Sequence, residues 1–152
     1  LISDKGSIDW LCFPNFDSPS IFASLLDREK GGYFGFEVSP DYQISQSYVP
    51  HTNILSTNFV SEENEFAVVD FMPCYHLSDA SNCYRPAEIT DIYIFAVRIK
   101  GTPRFKINYE PAPDYARGKT IFNTTSEYIE TYSTSNSKDM KYLWKNLTNE
   151  GK

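Results

Sequence analysis

The sequence predicts an all-β fold, an antiparallel β-sandwich, and three observations support this prediction. Apolar and polar residues alternate along several short segments, most cleanly in RFKINYE at 104–110. Turn-forming residues separate these segments at spacings of about ten residues, which is typical of sandwiches and barrels. Aromatic residues make up 16% of the 152-residue chain, so the chain can enclose a substantial apolar core.

The other strands follow from the same alternation. The polar run SEENE at 61–65 is expected to be a hairpin loop, because it separates two strand-like segments. DIYIFAVRIKG at 91–101 is continuously apolar in its first half, which predicts a central strand covered on both faces. The tail at 136–152 is either a last strand or a frayed end. Further predicted strands are GYFGFEV at 32–38, NILSTNFV at 53–60, EFAVVDF at 65–71, TIFNT at 120–124 and EYIETYS at 127–133.

One short helix is predicted near residues 18–28. Ser18 is a favourable N-cap residue, and Pro19 suits the first helical position, where its missing N–H costs nothing. The apolar residues that would share the buried face of this helix are Ile21, Phe22, Leu25 and Leu26. The residues predicted to be interior in this part of the chain are Ile8, Leu11, Phe22 and Leu25.

Charge excludes some classes of partner. The formal net charge is -6, and the 14 basic residues are scattered along the chain. An acidic surface repels phosphate backbones, so no nucleic-acid partner is expected. No apolar run approaches the roughly 18 residues that a membrane span requires, so no membrane association is expected. Neutral partners such as sugars remain compatible with this composition.

Cysteine usage predicts reduced thiols and a cytoplasmic location. The chain has three cysteines, Cys12, Cys74 and Cys83, with no CxxC spacing, and no signal peptide is expected. A Cys74–Cys83 bridge stays open. His76 with Cys74 supplies only two potential metal ligands, and a closed site needs about four, so neither a metal nor a cofactor is predicted.

The run GSIDWLCFPNFDSPSIFASLL at 6–26 has both a catalytic and a structural interpretation. Asp9 and Asp17 could act as the general acid and base of a glycosidase, which need carboxyl groups about 5 to 9.5 Å apart. The structural interpretation is favoured, because Asp17 precedes Ser18-Pro19 at the entry to the predicted helix. Asp9 follows Gly6-Ser7, where its carboxylate can accept hydrogen bonds from turn amides.

The same run closely resembles the N-terminal signature of glycoside hydrolase family 15, which contains glucoamylases, glucodextranases and microbial trehalases. The resemblance covers residues 1 to about 117 in order. The family often has arginine where Asn15 stands here, so a contact made by that side chain would differ. The further matching segments are GGYFGFEVSP, QSYVPHTNILSTNF, VVDFMP and EITDIYIFAVRIKGTPRFKINYEPAPDYAR.

The resemblance implies an N-terminal supersandwich-like β domain that is followed in the parent enzyme by an (α/α)6 barrel. In this family the barrel holds two catalytic glutamates, which hydrolyse an α-glucosidic bond with inversion. Residues 1–152 are therefore expected to be a single non-catalytic domain, a truncated N-terminal part of a longer enzyme. No catalytic residue is expected in this chain, and its partners are the barrel and, through the parent enzyme, an α-glucoside.

The resemblance also suggests which residues face the barrel or rim its substrate pocket. These candidates are Trp10, Phe13, Asn15, Phe16 and Asp17. An aromatic-rich corner that is exposed on the isolated domain would mark such a contact.

Two other functions remain as alternatives. A stand-alone carbohydrate-binding module would need an aromatic platform on one face, which Tyr128, Tyr132 and Tyr142 could supply. A catalytic domain would need Asp9 and Asp17 close together in a pocket, with the pKa of one carboxyl raised.

Overall fold

The computed structural model describes residues 1–73, 91–135 and 142–145, and within these ranges the chain forms only strands and turns. The sheets have the strand orders β4–β5–β6–β7, β9–β10–β11, β3–β8 and β1–β2. This confirms the all-β class, and the antiparallel sheets are consistent with a β-sandwich. The strands are β1 (Leu11–Cys12), β2 (Ser20–Phe22), β3 (Tyr33–Glu37), β4 (Gln43–Tyr48), β5 (Leu55–Val60), β6 (Glu65–Phe71), β7 (Tyr93–Lys100), β8 (Lys106–Glu110), β9 (Thr120–Thr124), β10 (Tyr128–Ser133) and β11 (Tyr142–Lys145).

The chain divides into two compact units. Unit 1 contains Leu1–Ser3, Ser7–Gly35 and the residues from Ile107 onward, and unit 2 contains Asp4–Gly6 and Phe36–Lys106. The four-stranded sheet β4–β5–β6–β7 lies in unit 2, whereas β1–β2 and β9–β10–β11 lie in unit 1.

The sheet of unit 2 is built from successive antiparallel hairpins. The loop between β5 and β6 is closed by the Ser61 N–H, which donates to the Asn64 carbonyl at 2.8 Å, so the predicted hairpin at 61–65 is confirmed. Directly paired residues share a face, and Thr57 pairs with Val68 while Phe59 pairs with Phe66. All four side chains are buried, so this face of the sheet is the core face.

The core of unit 2 is organised around aromatic rings. Phe59 and Phe66 stack at 4.5 Å between ring centroids with 2° between their planes, and Phe105 stacks on Phe66 at 4.8 Å. Tyr42 meets the edge of Phe66 at 5.7 Å. Each buried phenylalanine contributes roughly 1.5–3 kcal/mol from the loss of its contact with water, so these rings supply much of the stability of unit 2.

The prediction that the strand at 91–101 is central and covered on both faces is wrong. β7 is the last strand in the order β4–β5–β6–β7, within the ranges that the structure describes. Its residues Phe95, Val97 and Ile99 are exposed. The apolar run at the start of the strand reflects two partly apolar faces, since Ile94 packs against the core while Phe95 points the other way.

The sheet of unit 1 confirms the second predicted hairpin and extends it. β10 pairs with β9 on one side and with β11 on the other, so the part of the tail at 142–145 is a strand. Thr131 on β10 is completely buried, and its hydroxyl lies 3.2 Å from the Tyr109 hydroxyl. Trp144 of β11 stacks on the Tyr109 ring at 5.7 Å, which ties β11 to β8 through an aromatic contact.

The predicted helix near residues 18–28 is wrong. Ser20–Phe22 forms strand β2, and the whole run Ser20–Ser24 is buried, whereas Leu25 and Leu26 are exposed. The Ala23 and Ser24 N–H groups donate to the carbonyls of Gly31 and Gly32, at 2.7 and 3.1 Å. A segment that is buried on every side and hydrogen-bonded to distant backbone is a covered strand, which short apolar runs do not distinguish from a helix.

A left-handed turn follows β8 and is held in place by β2. Asp114, Tyr115 and Ala116 have φ angles of 59°, 56° and 55°, a conformation that costs roughly 1–2 kcal/mol per residue. The Asp114 N–H donates to the Ser20 carbonyl at 2.8 Å, and the Tyr115 N–H donates to the Ser20 hydroxyl at 3.2 Å. Ser20 is completely buried, so it provides a fixed anchor for the turn.

Asp70 is a buried carboxyl on the core face of unit 2. It pairs with Leu55 on β5 and with Ile94 on β7, so its lateral neighbours in the sheet are apolar. Burial raises the pKa of Asp70 from 3.8 to about 6, because the charged form loses its contact with water.

We predict that Asp70→Asn stabilises the chain at neutral pH. The raised pKa means that the folded state holds the Asp70 proton more tightly than the unfolded state. The wild-type chain is therefore expected to lose stability relative to Asp70→Asn as the pH rises from about 4 to about 6, by up to about 3 kcal/mol. Chemical unfolding of both proteins at pH steps across this window measures the difference, with exposed Asp41→Asn as the control. A difference in the free energy of unfolding between the wild-type chain and Asp70→Asn that stays constant with pH would contradict the prediction.

We predict that Ser20→Ala destabilises the chain by about 1 kcal/mol, because the Tyr115 N–H loses its acceptor while the turn remains strained. The control is Ser45→Ala, an exposed serine on β4, for which a change within about 0.5 kcal/mol is expected. Urea unfolding compares the two variants, and equal stability would show that the Ser20 hydroxyl does not hold the turn.

Candidate interdomain surface

The opening stretch forms a hairpin with an exposed tip. β1 and β2 pair antiparallel, with Leu11 opposite Phe22 and a bulge beside Cys12. The connecting loop contains a cis Phe13–Pro14 bond and a tight turn, in which the Asn15 N–H donates to the Ser18 hydroxyl at 3.1 Å. Ser18 thus serves as a turn residue of this loop, not as the cap of a helix.

The predicted site residues in and beside this loop differ in their exposure to solvent. Phe16 is 94% exposed, which is exceptional for an aromatic ring, and its neighbours Asn15 and Asp17 are also exposed. Trp10 and Phe13 are partly buried. An aromatic side chain held in water on an ordered loop is typical of a contact surface, because burying it against a partner removes its apolar area from water.

The structure also brings together residues that are distant in sequence. The Trp10 ring lies 6.0 Å from the Tyr115 ring, and the Arg117 guanidinium lies 5.2 Å from the centre of the Tyr115 ring. The left-handed turn at 114–116 sets the position of Tyr115 and therefore supports Trp10. Sequence reasoning did not single out Tyr115 or Arg117, although both lie in the last segment that resembles the family, PAPDYAR.

The polar groups around this surface have structural roles. The Asp9 carboxylate accepts a hydrogen bond from the Ser7 hydroxyl. The Asp9 carbonyl accepts hydrogen bonds from the Leu25 N–H and the Ser24 hydroxyl, at 3.1 and 3.2 Å. These contacts support the structural interpretation of Asp9. Asp17 lies at the exposed tip, so the two carboxylates occupy different environments.

The tyrosines proposed as a sugar-binding platform do not share a face. Tyr128 and Tyr132 alternate with the buried residues Thr131 and Ser133 along β10, so they project from the opposite side of the strand. Tyr142 pairs directly with Thr131 and therefore lies on the Thr131 side. A single platform of these three rings is excluded by the register, and the carbohydrate-binding alternative loses the feature on which it was based.

The described ranges contain neither a metal-binding cluster nor a helix that could span a membrane. No group of three or more His, Cys, Asp or Glu side chains in those ranges is arranged to hold a metal ion. Cys12 is a partly buried free thiol. The possible Cys74–Cys83 bridge and the Cys74–His76 pair lie outside the described residues, as does most of the long irregular segment at 72–88. No helix in the described part has the length and apolar character of a membrane span.

Comparison with known proteins places the chain in a family. The family model described as "Trehalase-like, N-terminal" matches residues 1–141. The trehalase of Thermoplasma acidophilum is 34% identical over 124 residues, which cover 80% of this chain and 20% of that protein. The trehalase of Mycobacterium tuberculosis is 30% identical over 151 residues, which cover 91% of this chain and 22% of that protein.

A shorter match is closer in sequence. Trehalase 1 of Sulfolobus acidocaldarius is 49% identical over 71 residues, which cover 46% of this chain and 12% of that protein. No solved structure shows a significant match. This chain thus spans about a fifth of the length of the trehalases of Thermoplasma acidophilum and Mycobacterium tuberculosis. With the family model matching nearly the whole of its length, the chain belongs to the trehalase-like N-terminal domain family.

Proposed function

We propose that this chain is the non-catalytic N-terminal domain of a longer glycoside hydrolase of the family 15 type, which cleaves an α-glucosidic bond with inversion. The observation that carries the proposal is the family match over residues 1–141, combined with relatives that are called trehalases and are about four times as long as this chain. The names of these relatives favour trehalose as the substrate of the proposed enzyme. The resemblance to glucoamylases keeps α-1,4-glucans as a second substrate class.

In this proposal the domain packs against an (α/α)6 catalytic barrel in the same polypeptide and helps to shape its substrate pocket. The exposed Phe16 side chain is the central contact. The other residues of this contact are the exposed Asn15 and Asp17 and the partly buried Trp10 and Phe13. The arrangement supports this role because a hydrogen-bonded hairpin presents the ring, and Trp10 contacts Tyr115 at the base of this hairpin. A cytoplasmic location is part of the proposal and is based on the cysteine usage.

The 152-residue chain is expected to be folded, rich in β-structure and inactive. We expect no glucose release from trehalose, maltose or malto-oligosaccharides at about pH 4 or about pH 7, because the proposal places the general acid and base of the reaction outside this domain. Circular dichroism on the same sample checks folding. The longer polypeptide that contains the domain is expected to release glucose from at least one of these substrates. Activity of the 152-residue chain that Asp9→Asn or Asp17→Asn abolishes would overturn the proposal.

Phe16→Ser is expected to lower the free energy of unfolding only in the longer polypeptide. In the 152-residue chain the ring is already in water, so the free energy of unfolding should change by less than about 0.5 kcal/mol. In the longer polypeptide the same variant should lose about 1–3 kcal/mol, as expected for an aromatic side chain at the centre of an interface.

The matched control is Phe122→Ser, which removes a half-exposed aromatic ring from β9 and should change the free energy of unfolding by the same amount in both proteins. Thermal and chemical unfolding of both proteins give the comparison. An equal effect of Phe16→Ser in the two proteins would show that the ring does not contact another part of the polypeptide.

A further inference from the structure

The four-stranded sheet of unit 2 has a second face, opposite the core face, which we call the outer face. Its cross-strand rows follow from the register. Ser56, Val69 and Phe95 form one row, and Asn58, Ala67 and Val97 form the next. Phe71 and Tyr93 form the last row at one end of β6 and β7. The residues contributed to this face by β4 are Gln43, Ser45 and Ser47.

The outer face is divided into a polar half and an apolar half. β4 and β5 contribute mainly serine, asparagine and glutamine side chains, as in an ordinary solvent-facing sheet. β6 and β7 contribute an apolar patch, which we call the β6–β7 patch and define as Val69, Phe71, Tyr93, Phe95 and Val97. No member of the patch is charged, although 22% of the chain consists of charged residues.

The aromatic members of the patch form one cluster. The Phe71 ring lies 5.6 Å from the Tyr93 ring and 6.0 Å from the Phe95 ring, and the Tyr93 and Phe95 rings lie 6.1 Å apart. All three pairs are stacked, with at most 20° between their planes. Phe95 and Val97 are nevertheless exposed. The core face already buries Phe59, Phe66 and Val68, so the patch is not needed to complete the core of unit 2.

An exposed apolar patch that is rimmed by polar residues marks an interaction site. Aromatic enrichment together with the absence of charge is the composition of the buried centre of a protein interface. The neighbours of the three rings within the patch are the valines Val69 and Val97, and such side chains offer a sugar no hydrogen bonds. The chemistry of the patch therefore favours a polypeptide surface over a sugar.

Two kinds of polypeptide could cover the patch: a second copy of this chain, or a part of the same polypeptide outside residues 1–152. A second copy of this chain would bring together two molecules with a net charge of -6 each, which opposes self-association. The trehalases of Thermoplasma acidophilum and Mycobacterium tuberculosis carry about four-fifths of their length outside the region that matches this chain. A polypeptide surface from that region would be tethered to the domain, so binding would be intramolecular and would need little affinity.

We propose that the β6–β7 patch is a second docking surface, covered by an apolar surface of the polypeptide that lies outside residues 1–152. This inference rests on the proposed function, because it requires the longer polypeptide. It assigns a role to residues that are separate in sequence from the opening stretch.

Hydroxyl-radical footprinting tests the proposal. Oxidation of Tyr93 and Phe95 is measured by mass spectrometry in the 152-residue chain and in the longer polypeptide. Docking should lower their oxidation about fivefold or more in the longer polypeptide, because the centre of an interface excludes water. Phe122 on β9 is the internal control, and its oxidation should be the same in both proteins.

Val97→Gln and Val60→Gln form a matched pair of variants. Both valines are exposed residues of the same sheet, at 46% and 40%, but Val60 lies on β5, outside the patch. In the 152-residue chain the two variants should shift the melting temperature equally. In the longer polypeptide Val97→Gln should lower it by several degrees more than Val60→Gln.

The outcomes separate this inference from the proposed function. Equal oxidation of Phe95 in both proteins, with the longer polypeptide hydrolysing an α-glucoside, would overturn the docking surface and leave the proposed function standing. Protection of Phe95 supports docking whether or not hydrolysis is detected. Two further results would overturn the proposal. One is concentration-dependent dimerisation of the 152-residue chain that Val97→Gln abolishes, and the other is protection of Phe95 in that chain by trehalose or maltose.

Discussion

The backbone hydrogen bonding of β2 is the constraint on which the structure of unit 1 depends. One edge of this short strand pairs with β1, through Leu11 opposite Phe22. The Ile21 and Ser20 carbonyls accept hydrogen bonds from the Ala112 and Asp114 N–H groups, at 2.9 and 2.8 Å. Buried backbone groups must be hydrogen-bonded, so β2 constrains the backbone positions of β1 and of residues 112–114. The opening hairpin and the left-handed turn are both fixed by it.

The same strand explains how a strained turn persists. Three consecutive residues in the left-handed region together cost several kcal/mol, and such strain survives only where the surrounding structure determines it. Here the buried Ser20 supplies one backbone acceptor and one side-chain acceptor to the turn. The stabilisation of the turn is thus local and specific to one serine. The consequence is the fixed position of Tyr115 beside Trp10, at the base of the exposed loop.

Sequence periodicity predicted those elements whose side chains divide cleanly between water and core. The hairpins β5–β6 and β9–β10 were predictable because their apolar residues alternate and polar loops connect them. The strand at 32–38 was predicted for the same reason, although Val38 falls just beyond the end of β3. Alternation is a local property, so it needs no knowledge of distant residues.

Elements defined by distant partners were not predictable in this way. The run at 20–24 is buried throughout because it contacts segments far along the chain, and its periodicity alone also fits a helix. The apolar start of β7 indicates a sheet centre only if its apolar residues face a core. Phe95 and Val97 instead face outward. The candidate surface was predicted in part. The resemblance identified the loop at 13–17, but Tyr115 and Arg117 join it only through the fold.

Three of the described aspartates illustrate the environments in which this domain places its carboxyl groups. An inverting glycosidase needs two carboxyl groups about 6.5–9.5 Å apart, one to protonate the leaving oxygen and one to activate water. Asp9 is engaged by Ser7, and Asp114 accepts a hydrogen bond from the Ser135 hydroxyl at 2.7 Å, so both serve local structure. Asp70 has a raised pKa suited to a general acid, yet its lateral neighbours in the sheet are the apolar residues Leu55 and Ile94. Among its exposed groups the domain presents two apolar features: a phenylalanine at the tip of a hairpin and an aromatic cluster on a sheet face. Surfaces of this kind bind a polypeptide because apolar side chains are removed from contact with water when they are covered.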